Sequence, residues 1–592
     1  MCSIIGIVTN NHAQVAPKLV KSLSRMEYRG YDSVGLATIT NTGISVKKGV
    51  GKVSQVNGYL NLASMEGFVG IGHTRWATHG GVTDHNAHPH SCCTNDIAVV
   101  HNGIIENYQS LKQELTKTGH TFRSETDTEV IAHLLEQFYH NTGSIKKAMM
   151  ETVSRIQGSF AFVAMFMDNT LACARLDEPL VIGIADGACY ASSDVLGFLE
   201  YTDQAIFLDN RDIAIIDSTN GIDIFNFEGE KVVRNPTKVA WELADANKGK
   251  FAHYTIKEIF EQRETIRSSV TAQDAFSLKR FCDLLLDARK VIITGSGTSY
   301  HTSLIASMVG SRYLKKHFEP VMASEFRYNI DSIDSDTTLV AISQSGETAD
   351  VLNAVKLAKN AGAKILSIVN VPSSSLARIA DVSLCTNCGP EIGVAATKSF
   401  TGQLALVYAT IDRASGGKIG FDAAAASDAV ARVLQNSLKV EALVKDKMAR
   451  VNDIYLLGRS LHFPIALEGA LKMKELAYIH AEGMPAGELK HGPLALMDKN
   501  VYVFVLNPSD KTYTDTLGSV HEVKARGAKI IGISDVSSDL YDAMIKIPKM
   551  DSDILYPLLE VIPLQIFSYH LALQNNVDPD FPRNLAKSVT VR

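Results

Sequence analysis

Cys2-Ser3-Ile4-Ile5-Gly6-Ile7-Val8 sets a cysteine directly ahead of an apolar run. A residue this small in second position favours removal of Met1, which leaves a thiol and a free α-amine on one carbon. Two readings follow. In one, Cys2 is a small hydrophobe opening a buried strand. In the other it is an N-terminal nucleophile, whose own amine, with an ordinary pKa of about 7.7–8.0, serves as general base to the thiol. The next hundred residues decide, by supplying or withholding a pocket.

The totals bound the rest. At 592 residues the chain is too long for one core, and length suggests about four domain-sized units. Its 46% apolar and 21% charged residues are those of a soluble globular protein. No apolar run approaches the ~18 residues of a membrane helix. No basic segment precedes the first apolar stretch, so a signal peptide is not expected. Net charge is −6 with Lys and Arg scattered, which argues against nucleic acid as a partner. The eight cysteines are sparse, as in a reducing cytoplasm. Cys385-Thr386-Asn387-Cys388 lacks the second pair that would complete a zinc site, and reads as incidental.

Residues 1–240 alternate short apolar runs with Gly, Asn and Asp, at Gly35–Ile39, Phe68–His73, Ile97–Val100, Phe160–Met165, Leu180–Ile184, Ile206–Leu208, Ile213–Ile216 and Ile222–Phe227. That pattern predicts antiparallel sheet. Helical periodicity appears at Ile105–Leu115, Thr126–Phe138 and Ile145–Ile156, so an α+β domain with helices covering stacked sheets is expected.

Polar residues cluster in three places. Arg75 in Gly72-His73-Thr74-Arg75-Trp76-Ala77-Thr78-His79-Gly80 can clamp a carboxylate, or form an ordinary surface ion pair. Asn102-Gly103, flanked by apolar residues, signals a hairpin turn, or else an oxyanion hole from the Asn102 amide and the Gly103 N–H. Thr126 and Glu129 have capping-box spacing, making Asp127 a first-turn acid that can also hold an ammonium. His79, His85, His88 and His90 beside Cys92 and Cys93 suggest a metal by composition, but their spacing matches no zinc pattern, and no metal is assigned.

Together Cys2, Arg75–Gly80, His88-Pro89-His90, His101-Asn102-Gly103 and Thr126-Asp127-Thr128-Glu129 resemble the class II, N-terminal-nucleophile glutaminases. The resemblance implies a four-layer α+β domain with Cys2 as nucleophile and Asn102 and Gly103 as oxyanion hole. It implies that Arg75 holds the glutamine carboxylate, that Thr78 and His79 line the pocket, that Asp127 binds the ammonium, and that Trp76 gates ammonia. One residue departs: Ser3 stands where that family has Gly. If the position needs glycine's backbone freedom, glutamine turnover is impaired.

Beyond a polar linker at Trp241–Lys250 and a helix at His253–Val270, helices alternate with buried strands such as Val291–Thr294, Leu339–Ile342 and Ile365–Val369, which predicts parallel α/β architecture. Val291–Gly295 recurs as Ile454–Gly458, and Ala361–Ile368 as Arg526–Ile533. Two similar strand–helix units fit this better than one sheet. Gly295-Ser296-Gly297-Thr298-Ser299 lacks the third glycine of a dinucleotide loop. Ser343-Gln344-Ser345-Gly346-Glu347-Thr348 precedes a helix and offers an anion site without a Walker lysine, or plain N-capping. Glu468, Lys472 and Glu475 share one face of a helix at Ala466–Ile479, as surface ion pairs or as the lining of a site.

These stretches, with Glu391–Lys398, Glu488–Pro493 and Arg583–Val591, resemble the sugar isomerase (SIS) fold, and within it the isomerising glutamine:fructose-6-phosphate aminotransferases. The resemblance implies that Ser343, Gln344, Ser345 and Thr348 hold a sugar phosphate and that Thr298, Ser299, Val394 and Ala586 line the sugar site. It assigns Lys587 the Schiff base, Glu475 the proton transfer, Lys472 proton shuttling, and His491, from a partner subunit, ring opening. Ala396 replaces a sugar-contacting Ser, at an expected cost of about 0.5–1.5 kcal/mol; Ser296 replaces a Cys. The expected organisation is glutaminase 1–240, linker and helix 241–280, SIS subdomains 281–425 and 440–575, and a covering tail 576–592. No cofactor, nucleic acid or membrane is expected, and a cytoplasmic homodimer is. The alternatives are a sugar-phosphate sensor and a glutaminase serving another ammonia acceptor.

Overall fold

The computed structural model describes residues 2–10, 13–217, 221–239, 247–448, 451 and 453–590. Most of the expected linker, at 241–246, lies outside the described residues. The chain divides into two compact units, Met1–Asp245 with Ser588–Arg592, and Ala246–Lys587.

The first unit stacks two antiparallel sheets. The eight-stranded one runs Thr237–Lys238, Gln204–Phe207, Val181–Ala185, Ala188–Ser192, Ser3–Thr9, Val69–Arg75, Ser33–Thr40, Gly43–Val50. The six-stranded one runs Gly221–Asn226, Asp212–Asp217, Thr170–Leu176, Gly158–Phe166, Ile97–Ile105, His90–Ser91. The strand Ile97–Ile105 shows how alternation builds layers. Ala98 and Val100 pack with Ile4, Val8 and Ile71 between the sheets, while Ile97 and Val99 face Leu111, Leu135 and Met149 on the covering helices. Those helices are Tyr108–Lys117, Glu129–Thr142 and Ile145–Arg155. Ala16–Met26 closes the opposite face, setting Leu19 and Leu23 against Gly70 and Gly72, where any Cβ would collide with them.

Three local readings are corrected. Asn102-Gly103 makes no hairpin; it lies inside the strand Ile97–Ile105, paired with Ala161 and Phe160. Gly103 is required there because φ is +111° and a Cβ would stand 2.0 Å from the Ser159 carbonyl oxygen. The helix expected from Ile105 starts at Tyr108, since Ile105 completes the strand. The capping box also fails: the helix begins at Glu129 after Thr128, and the Glu129 carboxylate instead accepts from the Arg123 and Ser124 N–H groups and the Ser124 hydroxyl.

The second unit contains two five-stranded sheets, each parallel throughout. The first runs Phe318–Met322, Lys290–Gly295, Thr337–Ser343, Lys364–Val369, Val382–Cys385; the second runs His480–Pro485, Asp453–Gly458, Tyr502–Leu506, Lys529–Ser534, Ala543–Lys546. In chain order both read second, first, third, fourth, fifth. The repeated sequences therefore occupy matching strands, and Ser343–Thr348 matches the connection from Leu506 to Tyr513.

Tyr556–Gln574 runs through the core shared by the two sheets, with Leu559, Ile562 and Ile566 almost wholly buried. Each such side chain contributes about 1.5–3 kcal/mol of burial. Among the described residues it is the one stretch, Asp553–Gln574, long and apolar enough to cross a membrane; 89% of its apolar window is buried. The expectation that no such run exists is corrected: the helix is apolar all round because protein surrounds it.

Candidate active sites

In the first unit the strand register sets the nucleophile's neighbours. Ser3 opposes Thr74, so Cys2 falls beside Arg75 and Trp76. The Trp76 N–H donates to Cys2 Sγ at 3.1 Å, and the Asn102 amide Nδ2 donates to the Cys2 carbonyl at 3.0 Å. Burial pushes the thiol up, against the pull of the Trp76 N–H and Arg75. Arg75 is no surface ion pair. It is 3% exposed, and its guanidinium donates to the carbonyls of His79, Gly80 and Gly81, folding the 76–81 loop around itself. Burial lowers its pKa, and the charges of Cys2, Asp32 and Asp127 counter this, so these groups converge electrostatically. Asp127 is buried, with Oδ2 accepting from the Ile105 N–H at 2.7 Å. His79 packs edge-on against Tyr108, and Thr78 is exposed.

Ser3 does not need glycine's backbone freedom. Its backbone is outside the left-handed region, and its buried hydroxyl donates to the Met26 carbonyl at 2.7 Å. Ser3→Gly is therefore expected to leave glutamine turnover within about threefold while costing about 0.5–1.5 kcal/mol of stability from the lost bond. A tenfold gain in glutaminase kcat would restore the impairment reading.

The histidine cluster is real but differently composed. His73 stacks on His88 at 4.1 Å, His88 and His101 meet the Thr128 hydroxyl, and His90 meets that of Thr126. His79 and His85 stand outside it. Sequence reading missed His73, His101 and Thr128 as one buried network supporting Asn102, whose Oδ1 lies 3.2 Å from His73 Nε2. Burial pushes His73 down to about 3, and lowers His88, His90 and His101. Between pH 3 and 6.5 the unfolded chain binds a proton that folded His73 does not. Stability is therefore lost as pH falls through that window. Urea titrations at pH 7.5 and 5.0 should show an earlier midpoint for the first unit at pH 5.0; equal midpoints would refute this.

In the second unit a series of hydrogen bonds and neighbouring residues links five of the expected residues, Lys587, Ser299, Thr298, Lys472 and Glu475. The Lys587 side chain is buried, with Nζ donating to Glu391 Oε2 at 2.6 Å and to the Gly393 carbonyl at 2.8 Å. Glu391 also accepts from the Thr397 and Ser399 N–H groups and the Ser399 hydroxyl. Although burial opposes it, the Lys587 charge and these bonds hold Glu391 down at about 2. Ser399 lies on the helix Lys398–Ala414, whose Gln403 donates to Ser299 Oγ at 3.1 Å. The adjoining Thr298 hydroxyl donates to Glu468 and accepts from Lys472 Nζ, and Lys472 bonds Glu475 at 2.5 Å. Glu468 and Lys472 are wholly buried and Glu475 is half-buried, so the trio runs from the interior to a partly open edge and is no surface ion-pair row. The helix carrying it runs His462–Ala477.

Ser343 Oγ accepts from the Gly346 N–H at 3.0 Å and lies 3.3 Å from the Thr348 hydroxyl, which caps nothing. Gly346 has φ +66°, and a Cβ there would strike Ser374. Ser345 Oγ accepts from the Glu347 N–H, and Gln344 accepts through its carbonyl from the Asn370 N–H. Val394 is held by its N–H to the Asp580 carbonyl; Ala396 and Ala586 are half-buried. His491 lies exposed at the end of a 3₁₀ turn, Ala486–His491, and joins none of these bonds. Two partners were missed. One is Glu391. The other is Glu258, which accepts from the Ile392 and Gly393 N–H groups and is raised to about 8 by burial and the Glu391 charge. Cys385 and Cys388 are unpaired thiols.

Comparison with known proteins agrees with this division. The SIS domain description matches residues 284–413 and 447–574, and a glutamine amidotransferase domain description matches 73–200. The glutamine–fructose-6-phosphate aminotransferases [isomerizing] of Pyrococcus horikoshii and Aquifex aeolicus are 43% and 42% identical, over 606 and 603 residues, covering all of both chains in each case. The C-terminal domain of the Francisella tularensis glucosamine-fructose-6-phosphate aminotransferase is 35% identical at TM-score 0.52, covering 56% of this chain and 99% of that one. The chain thus belongs to the family of isomerising glutamine–fructose-6-phosphate aminotransferases.

Proposed function

We infer that this chain converts L-glutamine and fructose 6-phosphate into glucosamine 6-phosphate and L-glutamate. The observation that carries the reading is the presence, in one chain, of a buried amidase constellation around Cys2 and a buried amine, Lys587, in a sugar isomerase unit. Neither half alone explains the other. Cys2 attacks the side-chain amide of glutamine, and Asn102 and Gly103 take the oxyanion. Arg75 and Asp127 hold the amino acid's carboxylate and ammonium, with Thr78 and His79 lining the pocket. Ammonia leaves, and water hydrolyses the thioester.

The phosphate of the sugar sits on the 343–348 loop, where Ser343, Gln344, Ser345 and Thr348 face the start of a helix. Lys587 condenses with the ketose carbonyl after passing its proton on. Glu475 moves the proton between C1 and C2, and Lys472, its ion-pair partner, relays it. Thr298, Ser299, Val394 and Ala586 border the sugar. His491, exposed on its own chain, serves the partner's site in a homodimer and assists ring opening. Eight unpaired thiols support a reducing, cytoplasmic setting.

The test is a paired assay of glutamate and glucosamine 6-phosphate from the purified protein. Equal formation of both, dependent on both substrates, is expected; glutamate release with no amino sugar would point to another ammonia acceptor. Trp76, whose ring meets Tyr31 edge-on at 5.6 Å, is the gate residue of this reading. Trp76→Ala should keep glutamine hydrolysis while glutamate outpaces glucosamine 6-phosphate. Unchanged coupling would remove Trp76 from ammonia transfer.

A further inference from the structure

A second convergence of reactive groups lies in the first unit and takes no part in the chemistry above. Cys93 follows the strand His90–Ser91, His120 follows the helix Tyr108–Lys117, and His133 and Glu136 lie one turn apart on the helix Glu129–Thr142. Cys93 Sγ is 3.8 Å from His120 Nδ1 and 3.6 Å from His133 Nδ1. Glu136 Oε2 is 3.0 Å from His120 Nδ1 and 3.4 Å from His133 Nδ1. All four atoms lie within 4.8 Å of one another.

These four spacings fall close to the edges that a small tetrahedral site requires. Bonds of about 2.3 Å to sulfur and about 2.0–2.1 Å to nitrogen or oxygen, at tetrahedral angles, require edges of about 3.6 Å from sulfur and about 3.3 Å between the others. We propose that Cys93, His120, His133 and Glu136 bind one divalent cation of the Zn²⁺ class, through Sγ, both Nδ1 atoms and Oε2.

The surroundings suit ligands rather than a chance hydrogen-bond knot. Glu136 is oriented by its other oxygen, Oε1, which accepts from the Thr94 N–H and hydroxyl, both at 2.8 Å. The Thr121 N–H donates to Cys93 Sγ at 3.3 Å, the kind of bond that stabilises a bound thiolate. On the far side of its ring, His133 Nε2 has no hydrogen-bond partner among the described residues and faces Glu129 Oε1 at 3.6 Å, close enough for that carboxylate to orient a metal-bound ring after a small shift. His133 and Glu136 are buried while Cys93 opens to solvent, which provides an entry path. The mixed thiolate, imidazole and carboxylate set selects a borderline-soft ion over Mg²⁺ or Ca²⁺. The neighbouring Cys92, Asp96 and Glu136 triad is a poorer candidate, because Asp96 is already engaged by Cys92, Thr94 and His140. Four protein ligands leave no open position, so the ion is structural. It would tie two loops to the helix that follows Asp127 and Thr128.

The test uses the full-length chain without a histidine tag, in a Cys2→Ala background so that the N-terminal thiol contributes nothing. After loading with Zn²⁺ and dialysis, about one zinc per chain is expected. Co²⁺ loading should give tetrahedral ligand-field bands and a thiolate charge-transfer band. Cys93→Ser should abolish that band. Cys93→Ser and His120→Gln, both at the accessible rim, should weaken Zn²⁺ at least about 100-fold with circular dichroism unchanged. Zinc well below one equivalent, a cobalt spectrum without the thiolate band, or unchanged affinity in both variants would overturn the proposal.

Discussion

Cys2→Ala is expected to lower glutamine-dependent glucosamine 6-phosphate formation by about 10⁴–10⁶-fold, the scale of losing a covalent nucleophile. The substitution removes one sulfur at the end of the strand Ser3–Thr9, where Sγ holds only the Trp76 backbone. The strand stays paired to both neighbours, Ser3–Val8 to one and Ile5–Thr9 to the other, so the fold should survive. Fructose 6-phosphate binding, which the proposed function assigns to the second unit, should be unchanged. The decisive readout is the glutamyl thioester: mass spectrometry after rapid quenching should find it in the wild type and not in the variant. Residual glutaminase activity within tenfold of wild type would remove Cys2 from the mechanism.

Lys587→Arg should be nearly as severe, at about 10³-fold or more in synthesis, and for a separable reason. Arginine keeps the positive charge opposite Glu391, sparing the about 3–5 kcal/mol lost when one partner of a buried ion pair is deleted, but it cannot form a Schiff base. Borohydride trapping with fructose 6-phosphate should label the peptide containing residue 587 in the wild type alone. Lys587→Ala, by contrast, strands a carboxylate accustomed to an ammonium 2.6 Å away and should also lower thermal stability. If Lys587→Arg retains trapping at another lysine and near-normal rates, the Schiff-base assignment is wrong. Glutamine hydrolysis without sugar should be unaffected by either change.

Local periodicity made most of the fold legible. Alternation along Ile97–Val100 and Phe160–Met165, and the recurrence of Val291–Gly295 as Ile454–Gly458, marked the two architectures because strands and repeats leave short-range signals. Asn102-Gly103 was ambiguous for a physical reason: the same dipeptide serves a turn or a strand, and the choice rests on pairing with Gly158–Phe166, far along the chain. The same limit hid partners. Lys587 meets Glu391 across 196 residues, and Cys93 meets His120 and His133 across 27 and 40, separations over which spacing carries no message. Composition drew attention to His88 and His90, which turn inward to Thr128 and Thr126, and spacing did not show that Cys93 meets His120 and His133 instead.

The twice-used strand order has a consequence for stoichiometry. Where the first sheet presents Ser343–Thr348, the second presents Asn507-Pro508-Ser509-Asp510-Lys511-Thr512. There Asp510 is bound to His462 at 3.1 Å, and Ser509 gives both its N–H and its hydroxyl to Asp535. Pro508 offers no N–H at all. The Ser509 donors are already taken up by Asp535, so this loop has fewer free donors to give a sugar phosphate than Ser343–Thr348. On the proposed function, the duplicated scaffold is therefore expected to take up one equivalent of sugar phosphate per chain, with its second copy contributing Glu468, Lys472 and Glu475 to the site of the first.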